Sequence, residues 1–239
     1  MRLDVAFTPA EVAGGTVGDR SVVVIDVLRA TSTMVEALAN GARAIFPVEN
    51  VAEAARIAGN IGRDQAVLAG ERHCVRIDGF DLGNSPLEFT PERVAGRPLV
   101  MSTTNGTAAL LAVAGAKRVL LGSMLNVSAT AAALLEQDDA MLLVCAGREK
   151  RFALEDAICA GALCLLLYRK LGKRHNWSDS ALAAAQLARR HLPRLARTLR
   201  RSAAGRQLVE LGFDADVEFC ASVDRYAVVP KFRDRQITL

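Results

Sequence analysis

Aromatic residues are scarce in this sequence, and no long apolar run occurs in it. Phe, Trp and Tyr make up 5% of the 239 residues, whereas 51% are hydrophobic. A core dominated by Ala, Val and Leu favours aliphatic packing of helices on a sheet over an all-β sandwich. The longest apolar stretch, residues 160–168, is much shorter than the roughly 20 residues that cross a bilayer. We therefore expect no membrane span.

The five cysteines contain no C-x-x-C pair, and residues 1–8 carry Arg2 and Asp4 with no apolar run. A disulfide framework, a zinc cluster and a secretory signal are therefore not expected. We expect a soluble, cytoplasmic protein.

Positive charge is concentrated in one segment. Residues 169–206 hold eleven Lys and Arg and one acid, a net charge of +10, whereas the rest of the chain carries −6. Such a segment can bind nucleic acid. No Phe, Tyr or Trp lies among the arginines of residues 189–206, although a base-stacking surface needs aromatic side chains. A solvated helical face is the favoured interpretation, and nucleic-acid binding is the alternative.

Predicted strands alternate with predicted helices along most of the chain. The run SVVVID at 21–26 is typical of a parallel strand that is buried on both faces. This alternation predicts an α/β fold, a three-layer α/β/α arrangement with a largely parallel or mixed sheet. We predict a single domain over residues 1–239, with subdomains 1–98 and 99–239 as an alternative. A closing hairpin is expected from 217–223 and 226–229.

An internal repeat accompanies this alternation. GARAIF at 41–46 resembles GAKRVL at 115–120, and NVAEAA at 50–55 resembles NVSATA at 126–131. The repeat predicts duplication of an αβα unit. The alternative is chance similarity between alanine-rich units.

Polar residues follow four predicted strands, at the ends where open α/β sheets bind ligands. The first group is IDVLRATST at 25–33. Asp26 could hold Mg²⁺ or attack phosphorus, and Arg29 offers a fork for phosphate or sulfonate. Thr31, Ser32 and Thr33 bring hydroxyls and amides to a helix start. The alternative is a capped helix in which Asp26 pairs with Arg29.

The second group precedes another predicted helix and consists of Ser102, Thr103, Thr104, Asn105 and Gly106. Its hydroxyls and free amides could cradle an anion, since glycine allows close approach to the backbone. No Gly-Lys-Ser/Thr follows, so it is not a Walker motif. Ordinary helix capping is the alternative.

The third group is CAGREKRFALEDAICAG at 145–161. Gly147 and Arg148 follow the strand, and Glu155 and Asp156 begin a helix. Adjacent helical residues point about 100° apart, so only one of these two acids is expected to serve a site. Cys145 could act as a nucleophile, but a buried inert thiol is the favoured interpretation.

The fourth group is GERHCVRIDGFDLGNSP at 70–86. It offers candidate metal ligands or bases, candidate acids or anion ligands, and a turn at Asn84 and Ser85 that could bind an oxyanion. The candidate acidic and basic side chains are Glu71, Asp78, Asp81, His73, Arg72 and Arg76. Together, the four groups indicate a site for an anionic substrate and a hard cation.

Five segments carry a resemblance to a known family: VVVIDVLRATST, GERHCVRIDGFDLGNSP, STTNGT, CAGREKRFALEDAICAG and CASVDRYAVVPKF. In order and spacing, from about residue 5 to about residue 232, they resemble the 2-phosphosulfolactate phosphatase family. The resemblance is weakest in the basic segment. It implies an α/β fold particular to that family and a Mg²⁺-dependent phosphatase that forms sulfolactate and phosphate. In methanogens this step belongs to coenzyme M biosynthesis.

The residues lead to a mechanistic hypothesis. Mg²⁺ would be held by Asp26 and Glu71, with Asp156 as a further ligand, and a metal-activated water would attack phosphorus. Attack by Asp26 or Cys145 is the competing hypothesis. The substrate would be held by the following residues: Arg29, Thr31, Ser32, Asn84, Ser85, Ser102, Thr103, Thr104, Asn105, Gly106, Gly147 and Arg148. A binding or regulatory protein without turnover is an alternative function, and a homodimer is left open.

Overall fold

The computed structural model describes residues 2–12, 17–137, 139–172 and 176–239. Lys173 and Arg174 of the basic segment and Met1 lie outside the described residues. The strands found within these ranges are β1 Arg2–Ala6, β2 Arg20–Ile25, β3 Ala44–Pro47, β4 Val67–Arg72, β5 Val75–Arg76, β6 Pro98–Ser102, β7 Arg118–Gly122, β8 Ala140–Cys145, β9 Asn176–Trp177, β10 Lys231–Arg233 and β11 Gln236–Thr238.

The helices are α1 Ala30–Ala39, α2 Val51–Ile61, α3 Pro91–Val94, α4 Gly106–Ala112, α5 Val127–Leu135, α6 Leu154–Leu171, α7 Asp179–His191, α8 Leu195–Arg201, α9 Ala203–Glu210 and α10 Asp214–Cys220. Short 3-10 turns lie at Pro9–Glu11, Pro86–Glu88, Met124–Asn126 and Leu192–Arg194. Within the described part of the chain, no helix combines the length and apolar character that crossing a membrane requires.

The strands form one mixed sheet in the order β5-β4-β6-β3-β11-β10-β7-β2-β8-β1-β9. Two parallel groups, β4-β6-β3 and β7-β2-β8, flank the antiparallel hairpin of β10 and β11. The order is symmetric about this hairpin: β6 and β2 are the central strands of their groups, and β4 and β8 lie outside them. This symmetry agrees with the predicted duplication, because α1-β3-α2 and α4-β7-α5 are the corresponding units.

Helices cover both faces of the sheet, which gives the three-layer arrangement that the sequence predicts. Val22 and Val24 of β2 pack in a core with residues of α1 and α4. Val23 and Ile25 face the opposite side, where they pack with residues of α5 to α10. Each of these four side chains has 0% exposure. The continuous apolar run is therefore explained by burial on both faces.

The C-terminal region differs from the prediction. Residues 217–223 do not form a strand, because Val217 and Cys220 lie three apart and pack as one face of α10 against the core. The hairpin lies later in the chain, at β10 and β11. Its turn residues Asp234 and Arg235 have φ of 50° and 60°, the left-handed conformation that tight hairpin turns need.

Candidate active site

Segments from all four polar groups meet at one cavity of about 190 Å³. They follow β2, β6 and β8 or form the end of β4, so both parallel groups contribute. Ten of the residues predicted for the site line this cavity: Asp26, Arg29, Glu71, Asn84, Thr103, Thr104, Asn105, Gly147, Arg148 and Asp156. These residues lie far apart along the chain, and the fold brings them together at one cavity.

Asp26 lies between the starts of α1 and α4. Its Oδ1 accepts a hydrogen bond from Ala30 N at 3.2 Å, and the Thr31 hydroxyl accepts one from Asp26 N at 2.9 Å. A Cβ on Gly106 would lie 2.6 Å from Ala30 Cβ and 3.1 Å from Asp26 Oδ2. Glycine therefore lets the two helix starts close around this carboxyl group.

The electrostatic surroundings of Asp26 favour its protonated form. The pKa of Asp26 is raised to about 7, and burial is the largest cause. The Ala30 N–H and the Arg29 charge lower this pKa, whereas the nearby carboxylates of Glu71 and Glu155 act in the same direction as burial. A carboxyl group with this pKa can hold or release a proton near neutral pH.

Backbone amides orient two more carboxylates. Glu71 accepts from Thr104 N at 2.9 Å and from Cys74 N at 2.8 Å. Asp156 accepts from Val27 N at 2.8 Å and from Gly147 N at 3.1 Å. Each acid therefore ties two of the site-forming loops together.

Both acids at the start of α6 line the cavity, so the expectation that only one would do so is wrong. The cavity lies at the end of the helix rather than along its side, where side chains 100° apart can both reach it. Burial raises the pKa of Glu155. Burial, followed by the charges of Asp26 and Glu155, raises the pKa of Asp156 well above its usual value.

The donors at the cavity are hard oxygen atoms, the kind that Mg²⁺ prefers. Asn84 adds a buried Oδ1 that has no hydrogen-bond partner among the residues the structure describes. Within the same part of the chain, no three His, Cys, Asp or Glu side chains group closely enough to hold an ion by themselves. The donor set therefore fits a Mg²⁺ site with one or two carboxylates, in which water and substrate complete the coordination.

Arg29 does not pair with Asp26, contrary to the alternative considered from the sequence. Its Nη1 donates to Asp216 Oδ2 at 2.7 Å, and its Nη2 donates to Cys74 O at 2.8 Å. The guanidinium also lies 4.6 Å from the ring centroid of Phe213. Ser85 Oγ donates to Asp216 Oδ1 at 2.6 Å. Arg29 therefore lines the cavity with its charge already balanced.

Arg148 forms no ion pair with a buried acid among the described residues, although its charge acts on Glu155 and lowers the pKa of that carboxyl group. Its Nη2 donates to Gln207 Oε1 at 2.9 Å, and its approach to Glu149 is 3.9 Å at an exposed position, where an ion pair contributes little. Arg148 is therefore the better placed of the two arginines to bind a phosphate oxygen.

Six predicted site residues do not line the cavity. Cys145 is fully buried, and burial raises the pKa of its thiol well above the usual value; the structure therefore disfavours its role as nucleophile. Ser85 donates to Asp216, and the Ser102 hydroxyl accepts from Arg72 at 2.9 Å. Thr31, Ser32 and Gly106 support the loops that line the cavity without lining it themselves. The Ser32 hydroxyl, for example, donates a hydrogen bond to Val27 O at 2.9 Å.

Of the remaining candidates in the fourth group, only His73 lines the cavity. Asp81 instead pairs with Arg63 at 2.9 Å, and Asp78, Arg72 and Arg76 are not among the lining residues.

The sequence analysis missed several residues around the cavity. Ala204 and Gln207 of α9 line it, and Asp216 of α10 holds Arg29. No local signal pointed to α9, because it lies at the end of a segment whose charges suggested a solvated face. Cys74 also lines the cavity, and burial raises the pKa of its thiol.

Comparison with known proteins points to one family over nearly the whole chain. A family model described as 2-phosphosulpholactate phosphatase matches residues 6–235. A protein named probable 2-phosphosulfolactate phosphatase from Caldanaerobacter subterraneus is 42% identical over 218 residues, covering 90% of this chain and 89% of the relative. Its namesake from Symbiobacterium thermophilum is 42% identical over 236 residues, covering 98% and 99%. That from Carboxydothermus hydrogenoformans is 39% identical over 231 residues, covering 97% and 93%.

Proposed function

The chain belongs to the 2-phosphosulfolactate phosphatase family, a family of phosphoric monoester hydrolases, and from that premise we propose its reaction. It hydrolyses 2-phosphosulfolactate, or a similar small phosphorylated hydroxy acid, with the help of Mg²⁺. Water adds to phosphorus, the ester P–O bond breaks, and the hydroxy acid leaves with a proton on its oxygen. The products are the hydroxy acid and inorganic phosphate.

The observation that carries this proposal is the composition of the cavity. Arg148 and the loop 103–105 offer anion-binding groups, and Asp26, Glu71 and Asp156 offer carboxylates to the same cavity. Arg148 would bind phosphoryl oxygens, and Gln207 would hold its guanidinium in place. Thr103, Thr104 and Asn105 would receive the second anionic group of the substrate.

Charge supports a role for a cation. A substrate with phosphate, carboxylate and sulfonate groups carries about four negative charges. The cavity adds the carboxyl groups of Asp26, Glu71, Glu155 and Asp156 against Arg148 and an Arg29 that Asp216 neutralises. Two of the carboxylates expected from the sequence would hold Mg²⁺, Asp26 with Glu71 or Asp26 with Asp156, and water and substrate oxygens would complete the coordination. When bound, the ion would neutralise charge on the phosphoryl oxygens.

A side chain of the protein would transfer the proton during hydrolysis. The pKa of about 7 belongs to Asp26 without an ion, and a bound cation would keep this carboxylate ionised. Glu155 lines the same cavity outside the proposed ion site, and burial raises its pKa, so it would accept a proton from the attacking water or pass one to the leaving oxygen. Glu71 and Asp156 hold the surrounding loops in position, because they accept hydrogen bonds from backbone amides of those loops.

The test is inorganic phosphate release from 2-phosphosulfolactate and from phospholactate, each with Mg²⁺ and with EDTA. We expect Mg²⁺-dependent release that prefers the sulfonate. Asp26→Asn should lose at least about 100-fold of the rate, whereas Asp64→Asn, which removes an exposed carboxylate, should keep it. Release from another substrate alone would discard 2-phosphosulfolactate, and binding without any release would favour a binding or regulatory protein.

A further inference from the structure

A second cavity, of about 740 Å³, lies among the helices that follow β9. It is formed by the end of α7, the 3-10 turn Leu192–Arg194, α8 and the start of α6. Among the described residues, its lining includes five arginines and no Asp or Glu: Arg189, Arg190, Arg194, Arg197 and Arg201. Within the same part of the chain, no residue lines both this cavity and the candidate active site. We call it the arginine pocket.

The arginine pocket carries positive charge that the protein leaves unbalanced. All five arginines are exposed, and none takes part in an ion pair between described residues. Their neighbour Arg200 behaves differently, since it contacts Asp214 at 2.7 Å and Glu218 at 2.8 Å. Five like charges around one concave surface repel each other, and a bound anion would relieve that repulsion.

The geometry points to a small anion with two or more phosphate groups as the ligand of the arginine pocket. Guanidinium groups bind phosphate oxygens in bidentate fashion, and the volume lies in the usual range for small-molecule sites. No Phe, Tyr or Trp lines the pocket in the part of the chain that the structure describes, and stacking of a base requires such a side chain. The net charge of −6 outside residues 169–206 would repel a long nucleic acid that extended past the pocket.

The arginine pocket adjoins the candidate active site at two points. Leu154 lines the pocket, and the next residue, Glu155, lines the active-site cavity. Arg201 lines the pocket, and the next residue, Ser202, hydrogen-bonds with Glu155. An anion held by the pocket would therefore lie next to two chain segments that continue into the surroundings of Glu155.

Calorimetric titration of the full chain with sodium tripolyphosphate, in EDTA, tests the site. Arg194→Gln combined with Arg197→Gln removes two charges of the pocket. Arg43→Gln combined with Arg56→Gln removes two charges at exposed positions outside it and is the matched control. We expect binding to the wild type and to the control, with affinity about tenfold or more weaker in the pocket variant. Circular dichroism checks that each variant is folded.

Arg148→Gln separates this site from the active-site cavity, because it removes a guanidinium from that cavity alone. It should bind tripolyphosphate as the wild type does. Equal binding by the wild type and the pocket variant, loss of binding in Arg148→Gln, or no binding at all would each overturn the proposal. Tighter binding of a 20-base-pair duplex than of tripolyphosphate, lost in the pocket variant and strongly dependent on salt, would assign the pocket to nucleic acid instead.

Discussion

The buried pair of Arg29 and Asp216 allows a quantitative test of how the C-terminal helices hold the site. Both side chains are 2% exposed and their charged atoms lie 2.7 Å apart. Asp216→Asn keeps the size of the side chain but removes its charge. The Arg29 guanidinium, enclosed by Phe213 and the protein interior, then stays buried without a counter-charge. Removing one partner of such a pair costs about 3–5 kcal/mol, and we expect the free energy of unfolding to fall by that amount.

Asp214→Asn provides a matched control on the same helix. Asp214 is 52% exposed and pairs with an Arg200 that is 36% exposed, so this change should cost far less than Asp216→Asn. Urea denaturation followed by circular dichroism, at pH 7 in EDTA, measures both. A loss for Asp216→Asn within about 1 kcal/mol of the Asp214→Asn loss would refute the reasoning.

A double variant separates the unpaired charge from simple loss of packing. Arg29→Met removes the charge that Asp216→Asn leaves unpaired, so the two changes together should cost clearly less than the sum of the separate losses. Additive losses would mean that burial of an unbalanced guanidinium is not the source of the destabilisation.

Three further predictions concern the cavity. The native state keeps a proton on Asp26 up to about pH 7, against a usual pKa of 3.8, so the contribution of Asp26 to stability falls as the pH rises through this window. The free energy of unfolding of Asp26→Asn, minus that of the wild type, should therefore rise by about 2 kcal/mol from pH 5 to pH 8 in EDTA. A difference that does not change with pH in urea denaturation would contradict this. Gln207→Ala frees the Arg148 guanidinium and should raise KM several-fold with a smaller change in kcat in the phosphate-release assay; an unchanged KM would reject this positioning role. Cys145→Ala, at a fully buried site away from the cavity, should keep phosphate release near the wild-type rate, and loss of release in a folded variant would restore its candidacy as nucleophile.

Much of the sheet and its helices could be predicted because local patterns and tertiary packing agree there. The run SVVVID at 21–26 forms β2 Arg20–Ile25. The repeat segment NVAEAA begins α2, where Asn50 accepts a hydrogen bond from Glu53 N at 2.9 Å. The pattern failed at residues 217–223, where strand-forming side chains pack as a helical face. Strand propensity depends on such context, which a single sequence does not display.

The candidate site could be predicted in part for a related reason. Residues that follow the strands of an α/β sheet tend to reach ligands, and that rule identified Asp26, Glu71 and Arg148. This rule does not identify site residues that lie on helices far along the chain. Asp216 lies 187 positions from Arg29, and Gln207 lies 59 positions from Arg148. Their contacts arise only from the packing of α9 and α10 against the sheet.

The symmetry of the sheet explains why the cavity draws on both halves of the chain. The strands whose ends supply the cavity are the corresponding pairs β2 with β6 and β4 with β8. Both halves supply acids and an arginine: residues 1–98 provide Asp26, Glu71 and Arg29, whereas residues 99–239 provide Glu155, Asp156 and Arg148. Division at residue 98 would also separate β6 from its neighbours β3 and β4. Residues 1–98 and 99–239 therefore share one sheet and one cavity, which argues for a single functional unit built from two diverged repeats.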